Sequence, residues 1–138
     1  MPDRIAAIAD SLYGARQAVE AIAPPSESDG LASLATAYSV QAYNSKRRAA
    51  EGDEPIGRKV GLTSAAAQKQ FGVDQPDIGV LWAANRFASG AVVPTGSLMF
   101  PRVEAELAVI LAHDIDAADL SHETLIASVR GVVPAMEI

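Results

Sequence analysis

Two glutamates separated by one residue stand in the apolar stretch 100–111. Side chains alternate across a β-strand, so Glu104 and Glu106 would share one face, roughly 6.5 Å apart along the backbone. Two carboxylates this close repel each other unless water or a cation screens them. A divalent cation bound through oxygen would convert that repulsion into ligation. The same spacing is typical of a half-exposed strand with an acidic outer face, and the pattern alone favours that simpler interpretation.

A third carboxylate, Glu137, changes the balance. It lies in the apolar segment 132–138, where a lone buried charge would be costly without a partner. Three carboxylates with neither a sulfur ligand nor a well-placed histidine suit Mg²⁺ or Mn²⁺ better than zinc. His113 is predicted to lie in a loop and His122 in the first turn of a helix, both at the surface.

A lysine between two glycines is the next group that could do chemistry. Lys59 is flanked by Gly57 and Gly61, and glycines allow a backbone or a ligand to approach closely. Near a metal-bound anion such a lysine could neutralise charge or move a proton. A solvated strand lysine explains the pattern equally simply and is preferred on pattern alone. Asp77, in Gln-Pro-Asp-Ile-Gly, is likewise explained by ordinary turn chemistry.

Two helices are predicted to open the chain. Apolar residues recur at helical spacing over residues 3–23, where Pro24 and Pro25 would end the first helix. A second helix is predicted over residues 31–50. Its last turns carry three cations, Lys46, Arg47 and Arg48. Cations favour the negative end of a helix dipole, and this explains the cluster better than a basic binding patch does.

The remainder predicts short strands joined by turns. Strands are expected at residues 56–62, 80–83, 91–93, 100–111 and 132–138. A short helix over residues 65–71 should begin at Thr63 or Ser64 and end at Gly72. After a connection over residues 114–120, Ser121 should cap a helix that continues to about Arg130.

The glutamate strand should be held by its opposite face. Its alternate side chains are apolar and are expected to pack into a core: Leu107, Val109 and Leu111. Helices followed by strands predict an α+β fold. The predicted organisation is a helical segment over residues 1–50 and a β-rich region carrying the metal site over residues 51–138.

Composition narrows the range of functions. The chain has 138 residues, of which 49% are hydrophobic and 20% charged, as expected for one globular domain. Its net charge of −6 argues against binding to nucleic acid or anionic lipid. The lack of cysteine excludes disulfides, thiolate metal sites and cysteine nucleophiles. No segment approaches the roughly 20 apolar residues that span a bilayer, so we expect a cytoplasmic protein.

Four blocks of sequence, in order, resemble the 2-keto-4-pentenoate hydratases of the fumarylacetoacetate hydrolase superfamily. They are Ile-Gly-Arg-Lys-Val-Gly-Leu-Thr at 56–63, Gly-Val-Asp-Gln-Pro-Asp-Ile-Gly at 72–79, Pro-Arg-Val-Glu-Ala-Glu-Leu-Ala at 101–108 and Val-Pro-Ala-Met-Glu-Ile at 133–138. The resemblance implies a fumarylacetoacetate-hydrolase-like domain. It also implies a divalent-metal lyase that hydrates 2-hydroxy-dienoates from the cleavage of aromatic rings.

The resemblance also implies roles for single residues. Glu104, Glu106 and Glu137 match the family's metal-binding carboxylates, so Mg²⁺ or Mn²⁺ is the expected cofactor. Lys59 matches its active-site lysine, and Asp77 matches an acidic residue implicated in proton transfer. A homo-oligomer acting on a small 2-oxo acid is expected, with association to another enzyme of the pathway as a further prediction.

Two alternatives remain open beside the hydratase. One is a decarboxylase of the same superfamily that acts on 2-oxo-3-enedioates, although the Gly-Arg-Lys-Val-Gly and Asp-Gln-Pro-Asp blocks are more similar to the hydratases. Family members are considerably longer, and this chain ends directly after the third carboxylate. We therefore expect the N-terminal portion of a larger catalytic domain. The second alternative is an inactive fragment or a non-enzymatic partner subunit.

Overall fold

The structure is a computed structural model, and it describes residues 2–30, 33–116 and 120–138. It separates into two compact units, Met1–Met99 and Phe100–Ile138. Helices occupy the start of the chain and strands alternate with short helices afterwards, which confirms the α+β fold class. The division into residues 1–50 and 51–138 that the sequence suggests is a different one and stays a prediction.

Three helices begin the first unit: α1 (Pro2–Ala18), α2 (Pro25–Ser28) and α3 (Leu34–Ala50). The first helix is shorter than predicted, because the chain turns at Val19, whose φ of 55° is incompatible with a continuing right-handed helix. Pro25 begins a helix of its own, since proline fits the first helical position. The predicted start of the second helix, residues 31 and 32, lies outside the described residues.

The core of the first unit lies between α1 and α3. It is small and consists of three buried residues with two partly buried neighbours: Ile8, Ala9 and Val40, flanked by Ile5 and Leu12. Asn44 adds a polar contact, donating from Nδ2 to the Ala9 carbonyl at 2.9 Å.

Polar and aromatic contacts join the same two helices at one end. The Tyr13 hydroxyl donates to the Glu51 carboxylate at 2.5 and 2.6 Å. The Arg47 guanidinium lies 4.6 Å from the Tyr13 ring centroid and pairs with Asp10. The hydrogen bond with Asp10 raises the pKa of Arg47 above its ordinary value, although desolvation opposes the rise. Arg47, one of the three predicted helix-end cations, therefore joins α3 to α1.

A β-hairpin completes the first unit, with β1 (Pro55–Gly61) antiparallel to β2 (Asp77–Trp82) and α4 (Ala65–Phe71) between them. Ser64, rather than Thr63, caps α4 by accepting the Ala67 N–H at 3.1 Å. The helix ends as predicted at Gly72, whose φ of 68° suits glycine. Strand β2 begins three residues earlier than predicted, at Asp77.

The predicted strand at residues 91–93 is wrong. These residues are irregular, and Val92 is 91% exposed. Among the described residues the only strand pairs are β1 with β2 and one further pair in the second unit, so this apolar triplet has no partner strand. Pro94, directly after it, has no N–H with which to extend a ladder.

Asp53 connects the end of α3 to the hairpin. Its carboxylate accepts from Arg48 Nε at 2.5 Å, from the Glu54 N–H at 3.0 Å and from the Ala84 N–H at 3.1 Å. The Arg48 guanidinium lies 4.8 Å from the ring centroid of Trp82, which is buried at the end of β2. Desolvation alone would raise the pKa of Asp53, but these hydrogen bonds outweigh it and hold the pKa below its ordinary value.

The second unit is a hairpin of β3 (Glu104–Leu111) and β4 (Val129–Glu137), with α5 (His122–Ala127) between the strands. Ser121 caps α5 as predicted, accepting the Thr124 N–H at 3.1 Å. The helix is shorter than predicted because β4 already begins at Val129. Residues 117–119 of the predicted connection lie outside the described residues.

The apolar face of β3 is not buried, contrary to prediction. Leu107, Val109 and Leu111 do lie on the face opposite the glutamates, but they are 73%, 54% and 44% exposed. On β4, Val132 and Met136 extend the same face and are 55% and 71% exposed. No element in the described part of the second unit covers this face, and alternation alone cannot reveal that.

Among the residues that the structure describes, none of the helices combines the length and the apolar character needed to cross a bilayer.

The depressed pKa of Asp53 makes the first unit sensitive to acid. At pH 7 the substitution Asp53→Asn should lower the urea midpoint of unfolding, followed by the fluorescence of the single tryptophan, Trp82. A group whose pKa is lower when folded stabilises the fold above its unfolded pKa, and this is lost as pH falls through the folded value. The difference between wild type and variant should therefore shrink below the ordinary aspartate pKa of 3.8.

The matched control is Asp74→Asn, which removes an exposed carboxylate from the bend before β2. It should leave the urea midpoint of unfolding close to that of the wild type, both at pH 7 and below the ordinary aspartate pKa. Equal effects of the two substitutions at pH 7 would show that Asp53 makes no special contribution.

Candidate metal centre

The register of β3 and β4 brings the three predicted metal ligands together. Glu104 lies directly opposite Glu137, and Glu106 lies opposite Ala135. Directly opposed residues of an antiparallel pair share a face, and so do residues two apart on one strand. The three glutamates therefore lie on the same face of the hairpin. One carboxylate oxygen from each lies within 4.8 Å of the other two.

The three carboxylates differ in their exposure to solvent. Glu104 is exposed, whereas Glu106 and Glu137 are half-buried. Ala135, opposite Glu106, carries only a methyl group. Solvent reaches the cluster at Glu104, whereas Glu137 Oε2 is buried.

The donor set fits a hard divalent cation. Three carboxylates supply only oxygen, which Mg²⁺ and Ca²⁺ both prefer. The carboxylate oxygens, which lie within 4.8 Å of one another, would have to move closer together to bind one ion. Three protein ligands would leave the remaining positions for water or for substrate oxygens.

The other two predicted site residues share a face of the β1–β2 hairpin, in the first unit. Lys59 is paired with Gly79, and Asp77 is paired with Gly61. Lys59 and Asp77 are thus diagonal neighbours, about 7–8 Å apart across the strands. Lys59 is half-buried and Asp77 is exposed. A cation and a carboxylate beside glycines can bind an anion and transfer a proton.

Two residues that sequence reasoning missed hold the strand beside Asp77. The Ile78 N–H donates to the Tyr38 hydroxyl at 3.0 Å, and Gln41 Nε2 donates to the Ile78 carbonyl at 3.0 Å. Their spacing of three along α3 indicates a shared helix face. Nothing in the sequence indicates which strand edge that face meets.

Comparison with known proteins gives a consistent group of relatives. The 2-keto-4-pentenoate hydratase of Paraburkholderia xenovorans is 39% identical over 130 residues, which are 94% of this chain and 48% of the relative. The 2-keto-4-pentenoate hydratase 1 of Dechloromonas aromatica is 43% identical, over 85% of this chain and 44% of the relative. The 2-hydroxypent-2,4-dienoate hydratase of Pseudomonas putida is 34% identical, over 95% and 60%. No protein-family model matches the chain.

Solved structures agree with the sequences. The 4-oxalocrotonate decarboxylase from Pseudomonas putida G7, complexed with magnesium and adipate, superposes with a TM-score of 0.91 at 29% identity. The match covers 99% of this chain and 52% of that one. The same enzyme complexed with calcium and acetate gives the same TM-score. This likeness confirms the fumarylacetoacetate-hydrolase-like fold expected from the four sequence blocks.

The chain spans about half the length of the curated hydratases that it matches first. The similarity extends over nearly all of this chain, and sequence and fold point to the same superfamily. The chain is therefore a homologue of the 2-keto-4-pentenoate hydratases, within the fumarylacetoacetate hydrolase superfamily.

Proposed function

We propose that this protein serves in the metal-dependent hydration of 2-hydroxypenta-2,4-dienoate-type acids to 4-hydroxy-2-oxo acids. The observation that carries the proposal is the carboxylate cluster of Glu104, Glu106 and Glu137, found in a homologue of hydratases. The chain spans only about half the length of those relatives, so the hydratase activity of the whole protein is itself proposed here.

The three glutamates are the proposed ligands of Mg²⁺ or Mn²⁺. When bound, the ion would supply Lewis-acid stabilisation of charge on the oxygen atoms of the 2-hydroxy acid. The neighbouring structures support a divalent ion, since one is complexed with magnesium and the other with calcium. The protein carries a net charge of −6 and would repel an anionic substrate, so local positive charge is needed to hold it.

Lys59 and Asp77 are the proposed groups for charge neutralisation and proton transfer. The dienol must lose the proton of its 2-hydroxyl group and gain one at its terminal carbon, after which water adds to carbon 4. The Asp77 carboxylate can accept and return a proton, and the Lys59 ammonium can balance the substrate's negative charge. The net reaction adds one water molecule and requires no oxidant or reductant.

A decarboxylase acting on 2-oxo-3-enedioates is the second candidate. It is favoured by the high TM-score against 4-oxalocrotonate decarboxylase. The hydratases are more similar in sequence, at 39–43% identity against 29%, and we therefore rank hydration first. Measuring release of CO₂ from a 2-oxo-3-enedioate beside hydration of a 2-hydroxy-dienoate separates the two.

A non-enzymatic partner subunit or inactive fragment is the third candidate, because the chain spans only about half of its relatives. Failure to bind Mg²⁺ or Mn²⁺ in calorimetry, together with tight association to a longer homologue, would favour it. For the active protein we propose a cytoplasmic homo-oligomer in aromatic catabolism, able to associate with another enzyme of that pathway.

Metal binding should be measurable without any turnover. At about one hundred times its dissociation constant, Mg²⁺ should raise the free energy of unfolding by about 2.7 kcal/mol, because it binds the folded chain only. Glu106→Gln should remove most of this gain, since an amide oxygen lacks the charge of a carboxylate. Thermal unfolding at increasing Mg²⁺ concentration provides the measurement.

Glu123→Gln is the control for this experiment. It makes the same chemical change at an exposed position of α5 and should leave the response to Mg²⁺ unchanged. A Mg²⁺ response that survives Glu106→Gln, or that is lost equally in both variants, would refute the ligand assignment.

Turnover should separate the metal ligands from the proton-transfer group. Glu106→Gln should abolish hydration of 2-hydroxypenta-2,4-dienoate together with Mg²⁺ binding. Asp77→Asn should lower kcat by about 10²–10⁴-fold, the usual contribution of a general acid or base, while Mg²⁺ affinity stays unchanged. Ultraviolet absorbance of the dienoate measures kcat, and calorimetry measures the affinity for Mg²⁺. Full activity of Asp77→Asn would contradict its role.

A further inference from the structure

We propose that Tyr38, Gln41 and Gly61 are positioning residues that fix the Asp77 carboxylate. This inference rests on the proposed role of Asp77 in hydration, and it adds three residues to that role. None of the three needs to contact the substrate. Tyr38 and Gln41 hold the backbone next to Asp77, and Gly61 provides the space in which its side chain lies.

Two side chains of helix α3 form hydrogen bonds with the backbone of strand β2 at Ile78. Ile78 donates its N–H to the Tyr38 hydroxyl and accepts a hydrogen bond from Gln41 Nε2, both at 3.0 Å. Both backbone groups therefore point away from β1 and toward α3. Asp77 directly precedes Ile78, whose N–H and C=O groups are both hydrogen-bonded to α3. The position of the Asp77 Cα is therefore restricted. Side chains from the helix thus take the place of a third strand at this edge.

Gly61 leaves room for the Asp77 side chain in its present position. A Cβ atom at Gly61 would lie 2.2 Å from Asp77 Oδ1 and 3.2 Å from Cγ. Atoms cannot approach to 2.2 Å without a bond, so the carboxylate occupies the volume of a missing side chain. The backbone at Gly61 does not have the positive φ that favours glycine. Space, and not conformational freedom, is the reason for glycine here.

The carboxylate so placed remains accessible. Asp77 lies at a shallow cleft of about 190 Å³ between α3 and β2, lined by Leu34, Ala37, Tyr38, Gln41, Asp77 and Ile78. A proton-transfer group must lie within hydrogen-bond reach of its substrate, and a displacement of about 1 Å can reduce the rate about 10²-fold. Fixing an exposed carboxylate therefore has a catalytic purpose.

The positioning can be tested by NMR on the chain itself. Tyr38→Phe removes only the hydroxyl group and should speed exchange of the Ile78 amide hydrogen about tenfold, the effect of losing one hydrogen bond. Tyr43→Phe, the same change elsewhere on α3, should leave that rate unaltered. Gly61→Ala should change the χ1 angle of Asp77, which is measured from the three-bond couplings between its Hα and Hβ atoms. Equal Ile78 exchange in the two tyrosine variants would overturn the proposal, even if Gly61→Ala failed to fold.

Kinetics then separate this inference from the proposed function. Tyr38→Phe and Gly61→Ala should lower kcat for dienoate hydration at least tenfold, with KM and Mg²⁺ affinity unchanged. If Asp77→Asn reduces turnover but these two variants keep the wild-type kcat, the positioning proposal fails and the proposed function stands. If the wild-type chain does not hydrate the dienoate, the proposed function fails for this chain. The NMR result alone then decides whether Asp77 is held.

Discussion

The register between β3 and β4 is the constraint on which the account depends. It places Glu137 opposite Glu104, so that a residue near the end of the described chain meets a pair more than thirty positions earlier. A slip of one residue would move Glu137 to the other face of the hairpin and dissolve the cluster. Like charges gathered in this way oppose the pairing that gathers them, and a cation would reverse the sign of that interaction.

The first unit has a different role, because it holds a lysine and an aspartate on a hairpin of only two strands. Two strands alone are marginally stable in water. Asp53 and Arg48 fasten the end of the hairpin at Trp82, and α3 side chains bond Ile78 near its other end. Gly61 and Gly79 lie on the same face as Lys59 and Asp77, and they place no side chain beside them. These polar contacts therefore lie close to the residues whose geometry the proposed chemistry needs to be fixed.

Local features of the structure were readable from sequence, whereas contacts between distant segments were not. Serine caps, the glycine that ends α4 and the shared face of Glu104 and Glu106 follow from spacing alone. The partnership with Glu137 needed the family resemblance, because no local signal specifies register between distant strands. The exposure of Leu107 could not be predicted for the same reason. Alternation shows that a strand face is apolar, but it does not show whether another element covers that face. The hydrogen bond from Ile78 to Tyr38 joins residues forty apart.

Diffraction from crystals of this chain soaked in Mn²⁺ tests the central claim most directly, because anomalous scattering locates the ion without any assumption about activity. We expect one strong anomalous peak, bound by Glu104, Glu106 and Glu137 together. A fully occupied Mn²⁺ site elsewhere, with the three carboxylates turned apart into solvent, would contradict it.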